Sequence, residues 1–85
     1  MVARAVMAEA IVAYVLINVD VGKEKEVLEE ILKRYGRNVT EARVTYGDFD
    51  LIVRLEAGNM RLLDKIVTGI RSIPGVLRTT TLIAS

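Results

Sequence analysis

The chain has 85 residues, of which 52% are hydrophobic and 27% charged, and its formal net charge is +1. That length is one domain, and a fold this small buries only about 60–65% of its extended surface. The absence of cysteine and histidine excludes disulfides, thiolate metal sites and the commonest general base, and the balanced, interspersed charges lack the footprint of a nucleic-acid binder.

The longest apolar run, Ala10 to Ile17, is far short of the roughly 20 residues that span a bilayer. It continues into Asn18 and Asp20 without a small-residue cleavage site, so a signal peptide is not expected. Residues 1–9 read as an N-terminal extension and residues 10–85 as the domain. A chain without cysteine fits a reducing, cytoplasmic compartment.

Residues 10–19, AIVAYVLINV, predict a central strand, because apolar residues fall on both of its faces. Gly22 breaks the run. Over 23–35, Val27, Leu28, Ile31, Leu32 and Tyr35 recur at helical spacing. Glu24 and Glu26 near the start and Lys33 and Arg34 near the end suit the helix dipole. Glu29–Lys33 and Glu30–Arg34 are favourable i,i+4 pairs, and Gly36 stands where a C-cap belongs. Residues 39–46, VTEARVTY, alternate and carry Glu41 and Arg43, as an edge strand would. Gly47, Asp48, Phe49 and Asp50 read as a tight turn into a returning strand over 51–57, LIVRLEA.

Asn59 is the expected N-cap of a second helix with the stripe Leu62, Leu63, Ile66, Val67, Ile70 and Ile73. Gly69, inside it, costs about 1 kcal/mol against Ala, and close packing on the sheet would explain it. Pro74-Gly75 ends the helix, and residues 76–84, VLRTTTLIA, form a last strand.

The order is β-α-β-β-α-β. It predicts an α+β fold of ferredoxin-like type, a four-stranded antiparallel sheet with both helices on one face. The uncovered face would carry Val12, Tyr14 and Leu16, or the alternates Ile11, Val15 and Ile17. Either set is too apolar for water, which argues for a second copy of the chain against it, the alternative being that the N-terminal residues fold back over the sheet.

Catalytic chemistry finds little purchase. Ser72 and Ser85 have no neighbouring base, no phosphate-cradling glycine motif is present, and nothing calls for a cofactor or metal. An enzyme is not expected. The segment Tyr46-Gly47-Asp48-Phe49-Asp50 puts backbone N–H groups beside two carboxylates, a combination able to hold an amino acid zwitterion. An ordinary β-turn accounts for the same residue types, so residue chemistry leaves both readings open. Thr79, Thr80 and Thr81 offer three hydroxyls on the last strand, although β-propensity alone also explains them.

Taken together, AYVLINVDVGKEKEVLEEIL at 13–32, VTYGDFDLIVRLEA at 44–57 and IPGVLRTTTLIAS at 73–85 resemble the ligand-binding (RAM) domain of Lrp/AsnC-type transcription regulators. The resemblance implies a dimer formed through the sheets, of the dimeric α+β barrel type, and higher oligomers with amino acid effectors between dimers. It places ligand contacts at Tyr46, Gly47, Asp48, Phe49 and Asp50, with Thr79, Thr80 and Thr81 near the same pocket. Nine residues ahead of the first strand leave no room for a helix-turn-helix. The resemblance is therefore to the stand-alone form of the domain, without direct DNA or membrane binding. That form would sense an amino acid, with full-length regulators as possible co-assembly partners. The alternative is a structural partner of such regulators that binds no ligand.

Overall fold

In the computed structural model, which describes residues 10–84, strand β1 (Ile11–Val19) alternates from Val12 onward between a half-buried and a buried face. The extension expected over residues 1–9 lies outside the described residues, as does Ser85. Ala13, Val15, Ile17 and Val19 point into the core, and Val12, Tyr14, Leu16 and Asn18 point the other way. β1 pairs with β3 (Leu51–Ala57) on one side and β4 (Val76–Ala84) on the other, and β2 (Val39–Val44) adds to β3. The sheet order is β2-β3-β1-β4, antiparallel throughout, as the split βαβ arrangement requires.

Helices α1 (Glu24–Tyr35) and α2 (Met60–Arg71) cover the face that carries Ala13, Val15 and Ile17. Val27 and Ile31 from α1, and Leu63, Ile66, Val67 and Ile70 from α2, meet Leu51, Val53 and Leu55 there. Each such fully buried side chain contributes about 1.5–3 kcal/mol. Leu32, expected in the α1 stripe, is 44% exposed. Glu30 and Arg34 form their i,i+4 pair at 2.6 Å. Asn59 caps α2, its side chain accepting from the Leu62 N–H at 2.8 Å. Gly36 is the C-cap of α1 in right-handed geometry, so it does not use glycine's left-handed freedom. α2 stops at Arg71, ahead of Pro74, with Ser72 turning back onto the Gly69 carbonyl.

Two expectations need correction. The second strand ends at Val44 rather than residue 46, because Thr45 already turns the chain: its N–H donates to the Asp50 carbonyl and its hydroxyl to that of Phe49. Gly69 packs on the other helix and not on the sheet. A Cβ there would stand 1.8 Å from Tyr35 Oη and 2.8 Å from its Cζ. Gly69→Ala should therefore change stability by less than about 1 kcal/mol, since the contact is with the tip of the half-buried Tyr35 side chain, which can swing aside at a cost that offsets the gain in helix propensity. In a Tyr35→Ala background the same change should stabilise by about 1 kcal/mol, and urea titration of the four proteins reads the difference.

Candidate functional site

The face of the sheet opposite the helices is open. Its rows, read across the strands, are Ile52–Leu16–Thr80, Arg54–Tyr14–Leu82 and Glu56–Val12–Ala84, with Asn18–Arg78 at one end. Between the two sets of β1 residues that sequence left equivalent, the fold thus turns Val12, Tyr14 and Leu16 outward. The face is less uniformly greasy than the β1 pattern suggests. Arg54 binds Glu56 at 2.7 Å and the Thr40 hydroxyl at 2.7 Å, and its guanidinium lies 6.0 Å from the centre of the Tyr14 ring. The hydrogen bond to Glu56, and then that to Tyr14, raise the Arg54 pKa above its already high ordinary value, so this charge is permanent. Around this network Leu82 remains 53% exposed.

At the Asn18 end of this face stands the loop from Thr45 to Asp50. Two hydrogen bonds fix its base. The Asp50 N–H donates to the Ile17 carbonyl at 2.9 Å, and the Asp50 carboxylate accepts from the Val19 N–H at 2.8 Å. The β1–β4 ladder shifts register between Asn18 and Val19, so Asp50 serves the point where the strand becomes irregular. A third bond ties the loop tip to the sheet, from Asn18 Nδ2 to the Asp48 carbonyl at 2.8 Å. Gly47 has φ of 129°, a conformation that side-chain-bearing residues rarely adopt.

The tip itself is open. Tyr46 is 97% exposed, Gly47 and Asp48 are exposed and Phe49 is half-buried. Among the described residues, the N–H groups of Tyr46, Gly47, Asp48 and Phe49 donate to no protein acceptor. Four unused donors beside the exposed Asp48 carboxylate make a small dipolar surface.

The two acids of the segment are not equivalent. Asp50 is occupied by the backbone of β1, while the carboxylate of Asp48 makes no hydrogen bond or ion pair among the described residues.

The three threonines do not act as one group. Thr79 pairs with Ile17 and Thr81 with Val15, so both turn to the helix side, whereas Thr80 pairs with Leu16 on the open face. Within one chain β1 separates them from the loop by two interstrand spacings, about 10 Å. From β4, Arg78 reaches Asn18, which is itself bonded to the loop: its Nε and Nη2 each lie 3.4 Å from Asn18 Oδ1. Sequence reasoning passed over both Asn18 and Arg78. The available signal was that Arg78 is the one charge in VLRTTTLIA.

The architecture is a two-helix, four-stranded ferredoxin-like domain with an open sheet face and a polar loop at its end. The chain belongs to the Lrp/AsnC ligand binding domain family, whose description matches residues 12–85. It is 35% identical over 74 residues to the HTH-type transcriptional regulator FL11 of Pyrococcus abyssi, covering 87% of this chain and 48% of that protein. The chain thus spans about half the length of the curated relatives it matches. The crystal structure of FFRP-DM1 superposes with a TM-score of 0.81 at 39% identity, over 88% of this chain and 99% of that one. The fold alone is shared with the regulator NMB0573 of Neisseria meningitidis, solved as an L-Met complex, at 11% identity and a TM-score of 0.78 over 100% of this chain and 56% of that one. No helix among the described residues is long and apolar enough to cross a membrane.

Proposed function

We propose that this domain binds a free amino acid at the loop Thr45–Asp50, and that it does so as a self-assembled oligomer in amino acid-responsive transcription regulation. The observation that carries the reading is the loop tip, where four N–H groups without a protein acceptor stand beside the exposed Asp48 carboxylate. A zwitterion has the complementary pair of charges, and Asp48 is the acid available for its ammonium. The relation to FL11 supports a role in transcription regulation, and the NMB0573 complex shows that this fold can hold an amino acid.

Assembly follows from the sheet. Val12, Tyr14, Leu16, Ile52 and Leu82 share the open face, and a second copy removes them from water. The loop tip is exposed in one chain, so walls for a ligand come from a neighbouring copy, and the scattered threonines reach such a pocket from another subunit.

Calorimetric titration with each of the twenty amino acids tests this. At least one should bind, and Asp48→Asn should weaken it tenfold or more while leaving the thermal midpoint within about 2 °C, since an exposed side chain away from the core contributes little to stability. No heat from any of the twenty would overturn the reading. A second reading, co-assembly with a full-length regulator without any ligand, rests on the same open face and predicts mixed oligomers on mixing with such a relative, unaffected by amino acids.

A further inference from the structure

We draw no further inference here: the strongest candidate, the outer edge of β4 with its exposed Leu77 and Ile83, carries nothing of its own, because nothing in the structure shows what covers it beyond the second copy already proposed for the open face of the sheet.

Discussion

Leu16→Asp should leave the domain folded and turn it into a 9.4 kDa monomer, while Val15→Asp, one residue away, should abolish folding. The two side chains project from opposite faces of β1. Val15 is fully buried under the helices, and an unpaired carboxylate there has no partner to compensate its desolvation. Leu16 lies on the open face, in the row between Ile52 and Thr80. In a two-fold pairing of sheets each copy contributes one Leu16, so the pair loses about 3–6 kcal/mol of burial, equivalent to a roughly 100- to 10,000-fold weaker dimer. Sedimentation velocity at micromolar concentration reads the outcome. A Leu16→Asp protein that sediments like the wild type would mean that the open face is not where copies meet.

Asp50→Ala should lower the stability of the fold by about 1–3 kcal/mol, with a fall in thermal midpoint of several degrees for a domain of this size. The cause is local. The Val19 N–H sits at the register shift of β1, and the Asp50 carboxylate is its acceptor at 2.8 Å. Removing the side chain leaves a part-buried donor unsatisfied. Asp50→Asn keeps an oxygen in place and should lose less than half as much. Thermal melts followed by circular dichroism distinguish these cases, and equal loss in both variants would mean that the negative charge, not the acceptor, matters at this point. Any loss of ligand affinity in Asp50→Ala is therefore a consequence of a loosened loop, and Asp48 is the residue at which to probe contact.

These outcomes mark where the sequence was readable. The element order was legible because each signal was local: the 3.6-residue stripe through Leu63, Ile66, Val67 and Ile70, the Asn59 cap, and the glycine-containing turn before Leu51. The inward face of β1 was not, because valine, isoleucine and leucine occupy both faces, and only pairing with Val53 and Leu55 under the helices decides between them. Asp48 and Asp50 differ by two positions and nothing in composition separates them. The difference arises from a contact 31 residues apart in sequence, between Asp50 and Val19. Gly69 meets Tyr35 for a similar reason, since the side chain packed against it belongs to another helix. Arg78 reads as an incidental charge in a threonine-rich strand until the sheet order sets it beside Asn18.

The pairing of Arg54 with Glu56 inside one subunit bears on what can lie against the sheet. A lone guanidinium at that spot would demand an acid from whatever covers it, and covering it with hydrocarbon would strand a charge. Because the chain closes its own ion pair, with Thr40 and Tyr14 as additional ligands of the guanidinium, an oily visitor can settle over the middle of the surface without orphaning either member.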